Sequence, residues 1–204
     1  MIQNSPYIIG LTGGIASGKT NISRALRQRG AVVIDTDEIS RALTADGGKA
    51  LGAIRDMFGD AVFDGDSLSR QRLAAMVFGH QKLLQQLNGI MHPLIGCEVK
   101  ELIQQHQGET ALLVEVPLLF EVGWNQSCDE VWCVYAPARV QVHRLRKRDK
   151  LPLSQAIRRI NSQMSGRERC RRSDYCIDTT GTREQSAAKA LILWRSALRR
   201  AALV

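Results

Sequence analysis

The chain predicts an α/β protein: a parallel sheet with helices on both faces, a helical insertion and a basic helical lid. Three observations carry this. Short apolar runs at Tyr7–Leu11, Ala31–Ile34, Ala111–Val116, Val131–Tyr135 and Tyr175–Asp178 read as buried strands, with stretches of helical period between them. A glycine-rich turn joins the first strand to the first helix. A long region from Glu38 to about His106 places its apolar residues at helical spacing and contains no strand-like run.

The first strand leads into Gly13–Thr20, which satisfies G-x-x-x-x-G-K-[ST], the phosphate-binding loop. Its glycines let backbone N–H groups turn inward around phosphate oxygens. The following helix, expected from Lys19 to about Arg29 and closed by Gly30, adds the partial positive charge of its N-terminus. Gly13, Gly14, Ile15, Ala16, Ser17, Gly18, Lys19, Thr20 and the adjoining Asn21 are therefore the expected nucleotide-binding residues. Lys19 reaches the β- and γ-phosphates and the Thr20 hydroxyl holds Mg²⁺ in this reading. A plain glycine turn would explain the glycines but not Lys19 and Thr20 side by side. Ala16 stands where a further glycine could be, and is expected at negative φ.

The second strand, Ala31–Ile34, is expected beside the phosphate-loop strand and ends in Asp35-Thr36-Asp37. Ligands in open α/β sheets lie at the carboxyl ends of strands. Phosphoryl transfer to an alcohol needs an acceptor for the alcohol's proton, and Asp37 is the candidate. Asp35 would point to the same side if the strand continued. Asp35 could instead take the base role or bind Mg²⁺ through water, and either carboxylate could simply cap the next helix.

Within the helical region, Leu51, Ile54 and Phe58 mark one helix, Leu73, Met76 and Val77 a second, and Leu83, Leu84 and Leu87 a third. Asp64-Gly65-Asp66 is a turn signal. His92-Pro93 reads as the opening of another helix with Pro93 in its first position, so His92 serves as a base or as a helix entry. Glu115 closes a central apolar strand, where it could hold Mg²⁺ through water, and it should have a partner there.

Two helices, Arg139–Arg148 and Leu153–Met164, carry much of a cluster of arginines and lysines between positions 139 and 172. Arg144 and Arg148 are four apart and share a face, suited to covering a transferred phosphoryl group; the alternative is pairing with Asp149 or with solvent. A last helix runs from about Glu184 to Leu203.

Bulk properties narrow the function. The chain has 204 residues, 44% hydrophobic and 24% charged, which suits a globular protein of one or two domains. No apolar run is long enough to cross a bilayer, and the N-terminus has no signal-peptide pattern. The five cysteines, Cys97, Cys128, Cys133, Cys170 and Cys176, form no C-x-x-C pair and are odd in number, so free thiols in a reducing cytoplasm are expected. The net charge of +8 suits nucleic acid, an anionic membrane or a polyphosphate substrate. The basic cluster lacks the interleaved aromatics of a single-strand-binding surface, so a flap closing on phosphates fits better than nucleic acid or membrane. No N-K-x-D segment is present to read guanine. A small-molecule kinase that excludes water is the reading reached, with another nucleoside or nucleotide kinase, or a nucleic-acid-binding NTPase, as alternatives.

Taken together and in order, several segments resemble the dephospho-coenzyme A kinase family. They are Gly10–Thr20, Val33–Asp37, Leu68-Ser69-Arg70 with Leu73 and Phe78, His92–Ile95, Val116–Glu121, Arg144-Leu145 with Arg148-Asp149, Gln163-Met164, and Asp174-Tyr175 with Ile177-Asp178 and Gly181. The resemblance implies a single P-loop kinase-like domain over 1–204. Its core covers about 7–37, 111–136 and 174–204, a helical substrate-binding part about 38–108, and a lid about 137–172. It implies a cytoplasmic enzyme using ATP and Mg²⁺ that phosphorylates the ribose 3′-hydroxyl of dephospho-coenzyme A. It places the base on Asp37, puts Thr12, Asp37, Arg70, His92, Pro117 and Leu118 around the acceptor, and keeps Lys19, Arg144 and Arg148 as catalytic. Asp178–Gly181 would lie near adenine. The chain departs from the family pattern at Ala16 (usually Gly), Glu115 (commonly Asp), Ser165-Gly166 (Pro-Leu) and Thr179 (usually Asn).

Overall fold

The computed structural model of the chain describes residues 5–203. In chain order its elements are β1 (Tyr7–Thr12), α1 (Lys19–Arg27), β2 (Val33–Asp35), α2 (Thr36–Leu43), α3 (Leu51–Phe58), β3 (Phe63–Asp64), β4 (Ser67–Leu68), α4 (Arg70–Val77), α5 (Gln81–Gln105), β5 (Ala111–Glu115), β6 (Glu130–Tyr135), α6 (Ala138–Asp149), α7 (Leu153–Asn161), α8 (Gly166–Arg171), β7 (Tyr175–Asp178) and α9 (Arg183–Ala201). The chain divides into two units. One takes in the chain up to Ile34 and from His106 onward; the other is Asp35–Gln105.

The first unit is built on a sheet of order β2-β5-β1-β6-β7. β1 runs parallel to both β5 and β6, and β6 parallel to β7. β2 is therefore not beside the phosphate-loop strand, as the sequence suggested; β5 separates them. All five β5 residues are buried, as a strand flanked on both edges requires, whereas three-residue β2 is only half-buried at its ends and suits the sheet edge.

Alternation sorts the side chains. Ile9, Leu11, Leu113, Trp132, Val134 and Ile177 form one face and pack with Ile22 and Leu26 of α1 and Ala190, Trp194 and Ala197 of α9. Gly10 lies in the middle strand because a Cβ there would stand 2.6 Å from Leu119 Cδ1 and 2.7 Å from Cys128 Sγ. A capping box starts α9: Thr182 Oγ1 accepts from Gln185 N at 3.2 Å, and Gln185 Oε1 accepts from Thr182 N at 2.9 Å. The far end of the unit is closed by Glu130, which is 4% exposed. Its carboxylate accepts from Arg200 Nε at 3.0 Å and Nη2 at 2.8 Å, from the Tyr7 hydroxyl at 3.3 Å, and from Trp132 Nε1.

The second unit is helical apart from the β3–β4 hairpin, whose turn is the Asp64-Gly65-Asp66 stretch. The hairpin strands are two residues each, too short for a period-2 signal. Pro93 does not open a helix. It lies inside α5, which runs unbroken for 25 residues. Leu83, Leu87, Met91, Ile95 and Val99 hold a half-buried to buried stripe on both sides of it, while His92, Pro93 and Gly89 are exposed. The carbonyl that Pro93 leaves without a donor, that of Gly89, thus faces water, and continued packing outweighs the break.

Among the described residues no helix is long and apolar enough to cross a membrane. The expectation of five free thiols fails: Cys170 and Cys176 form a disulfide, and Cys97, Cys128 and Cys133 are free. The pair had no C-x-x-C spacing to announce it, because α8 and β7 bring the two cysteines together from either side of a turn.

Removing Arg200 would leave Glu130 as a buried charge with two weaker donors. Arg200→Met is expected to cost about 2 kcal/mol of stability in urea unfolding, discounted for the partly exposed guanidinium; a loss below about 0.5 kcal/mol would contradict the network's role.

Candidate active site

At the end of β1 the chain turns through the phosphate loop. Gly13 has φ +156° and Gly18 +106°, values that favour glycine. A Cβ on Gly13 would also stand 2.5 Å from the Val134 carbonyl oxygen. Gly18 caps α1 without a side-chain hydrogen bond, so no side chain competes with an anion for that helix end. Lys19 Nζ donates to the Gly13 carbonyl at 2.8 Å, across the loop. Ser17 Oγ is buried without a hydrogen-bond partner among the described residues. Thr20 is exposed at the start of α1, and Asn21 Nδ2 donates to the Arg183 carbonyl at 3.1 Å. Ala16 has φ +57°, not the negative value expected. The loop must reverse direction between Ile15 and Ser17, and its flanking bonds hold the alanine in the left-handed region.

Those bonds come from outside the loop. Gln141 Nε2 of α6 donates to the Ile15 carbonyl at 3.0 Å, and Ile15 N donates to Gln163 Oε1 at 2.9 Å. Arg144 Nη1 donates to the carbonyls of Ser17 at 3.1 Å and Ala16 at 3.4 Å, and its Nη2 to the Thr179 carbonyl at 2.5 Å. The buried Thr179 hydroxyl donates to the Ser17 carbonyl at 2.5 Å and accepts from Arg144 Nη1 at 3.1 Å. Arg144 is thus seated on the loop. Arg148, on the same helix, instead makes a two-point pair with Asp149, at 2.6 and 3.1 Å. The shared face of the two arginines does not give them a shared partner.

Thr12 is fully buried at the start of the loop, and its hydroxyl donates to the Pro117 carbonyl at 3.1 Å. Leu118, next in the chain, is exposed. Glu115 is 7% exposed and lies opposite Leu11, one residue before Thr12. After β7, Asp178 accepts from Thr180 N and Oγ1 at 2.7 and 2.6 Å, and these bonds hold its carboxyl below the usual range.

In the helical unit the acidic pair divides. Asp35 Oδ1 accepts from the amides of Asp37 at 2.8 Å and Glu38 at 3.4 Å, which makes it the N-cap of α2. Asp37 is exposed in the first turn of that helix rather than on a continuing strand. Arg70 Nη2 donates to the Arg41 carbonyl at 2.9 Å and to Thr44 Oγ1 at 3.2 Å, fixing the start of α4 against the end of α2. His92 is exposed on α5.

The dephospho-CoA kinase family model matches residues 7–185, from the first residue of β1 into α9. The chain belongs to the dephospho-CoA kinase family. A dephospho-CoA kinase of Symbiobacterium thermophilum is 40% identical over 193 residues, covering 93% of this chain and 81% of that protein. One from Moorella thermoacetica is 39% identical over 197 residues, covering 93% and 91%. Among solved structures, the Thermus thermophilus protein TT1252 superposes with a TM-score of 0.81 at 30% identity, covering 92% of this chain and 97% of that one.

In this dephospho-CoA kinase family member, the roles of Gln141, Gln163 and Thr179 in bracing the loop were not read from the sequence. Gln141 and Thr179 are buried polar residues, a feature visible only once burial is known. Ala16 supplies a direct test of the loop's strain. Ala16→Gly relieves about 1–2 kcal/mol of left-handed strain, against about 0.4–1 kcal/mol of added unfolded-chain entropy. A net gain of between zero and about 1.6 kcal/mol is expected in chemical denaturation; a loss would show that the alanine is not strained.

Proposed function

We propose that this enzyme transfers the γ-phosphoryl group of ATP to the ribose 3′-hydroxyl of dephospho-coenzyme A, giving coenzyme A and ADP. The observation that carries this is the family match over residues 7–185, with the phosphate loop inside it. The loop amides and Lys19 would hold the ATP phosphates and offset charge developing on the transferred group.

Asp37 is the proposed base. Asp35 serves as the cap of α2, and Asp37 lies in the exposed first turn of that helix, within reach of an alcohol from solvent. Thr12, Pro117, Leu118, Arg70 and His92 are proposed around the acceptor. Arg144 is proposed to act from the loop it already touches, and Arg148 from farther along α6, after exchanging Asp149 for phosphate. Residues 137–172 are proposed as the lid.

The donor set fits Mg²⁺: the Thr20 hydroxyl, in the first turn of α1, and, through water, the Glu115 carboxylate, at the end of β5, are hard oxygen ligands. When bound, Mg²⁺ would neutralise charge on the β- and γ-phosphates. We place the reaction in the cytoplasm, where ATP is supplied.

Variant kinetics test the roles. Lys19→Ala is expected to lower kcat by about a thousandfold. Asp37→Asn is expected to lower kcat by roughly a hundredfold with ATP affinity unchanged. Asp35→Asn should keep most of kcat, because asparagine also caps helices. A large kcat loss in Asp35→Asn with Asp37→Asn near normal would reverse the assignment of the base.

A further inference from the structure

Cys133 and Cys176 face one another on neighbouring strands β6 and β7. By alternation they lie on the sheet face opposite Trp132 and Ile177. Cys170, from α8, is bonded to Cys176, and all three sulfurs lie within 4.8 Å of one another. The three differ in access: Cys176 is exposed, Cys170 half-buried and Cys133 buried. Burial pushes the Cys133 thiol up to about 11, so it stays protonated and out of exchange.

The bond has a direct neighbour in the active site. Arg169, adjacent to Cys170, is fully buried. Its Nη2 pairs with Glu121 Oε1 at 2.5 Å, while Nε and Nη1 have no hydrogen-bond partner among the described residues. Nη1 lies 3.6 Å from the point where a Cβ on Gly14 would stand. A guanidinium with two unfilled donors is costly to bury, so something must hold it behind the phosphate loop. The Cys170–Cys176 bond ties down the turn of α8 that carries it.

We propose that Cys170 and Cys176 are a reversible thiol–disulfide modification site, oxidised by a low-molecular-weight disulfide and reduced by a low-molecular-weight thiol, whose state sets how firmly Arg169 is held behind the phosphate loop. In the oxidising direction the exposed Cys176 thiolate attacks one sulfur of the external disulfide. That bond breaks, one external thiolate leaves with the electron pair, and a mixed disulfide forms on Cys176. The Cys170 thiolate then attacks Cys176 Sγ and expels the second external thiolate. Two protein thiols have lost two protons and two electrons, and the external disulfide has gained them as two thiols. Reduction runs the same steps backward.

The nucleotide arm of the test rests on the kinase reading; the thiol arm does not. The full chain is incubated with oxidised glutathione or with dithiothreitol, denatured, alkylated with iodoacetamide and weighed, with peptide mapping. The oxidised protein is expected to take three alkyl groups, matching its three free cysteines, and the reduced protein five. Cys133→Ser should keep this two-group difference and Cys176→Ser should lose it. Calorimetric titration with a non-hydrolysable ATP analogue should show roughly threefold weaker binding in the reduced form. The Cys170→Ser/Cys176→Ser double variant should bind at the reduced value under both conditions. Five alkyl groups after oxidation, or equal nucleotide affinity in the two states, would overturn the proposal. A protein binding no nucleotide in either state would count against the kinase reading, with the thiol count still deciding whether the cysteines exchange.

Discussion

The phosphate loop depends on being held open from outside. Its amides can turn inward only if its carbonyls and the remaining amide find partners elsewhere, since a buried backbone group without one costs as much as a lost hydrogen bond. Gln141, Gln163, Arg144 and Thr179 supply those partners from α6, the segment after α7 and the end of β7. Three separate parts of the chain thus converge on three consecutive loop residues, Ile15, Ala16 and Ser17. The cost of the arrangement is visible at Ala16, kept left-handed, and at Ser17, whose buried hydroxyl has no partner among the described residues.

The same bracing connects α6 to the loop. Arg144 makes its bonds with loop carbonyls and Thr179, so α6 and the loop are one mechanical piece at this point. Farther along the helix Arg148 pairs with its neighbour Asp149 on the surface, an interaction of the kind that contributes little to stability and is readily exchanged. One arginine is positioned in advance and the other is available to move. That graded attachment suits a site that must admit nucleotide and then exclude water around it.

Much of this was legible in the sequence. The strand–loop–helix unit at Gly13–Thr20 is a local pattern, and the apolar runs placed all five sheet strands. What escaped depends on partners distant in sequence. Adjacency in the chain suggests that β2 lies beside β1, whereas the burial of β5 on both sides puts β5 between them. Pro93 was read as a helix start, but the apolar stripe from Leu83 to Val99 carries α5 past it. Ala16 was expected at negative φ from its own chemistry, and the loop's external bonds override that preference. Asp35 and Asp37 were indistinguishable by type; which one caps α2 follows only from where β2 stops. The Cys170–Cys176 bond left no trace in spacing.

The most direct measurement of the central claim is coupled ADP release with MgATP, with and without dephospho-coenzyme A, together with the mass of the acceptor. ADP release that requires the acceptor, matched by the gain of one phosphate group to give coenzyme A, is the expected result. ADP release at the same rate without the acceptor, and an acceptor of unchanged mass, would contradict it.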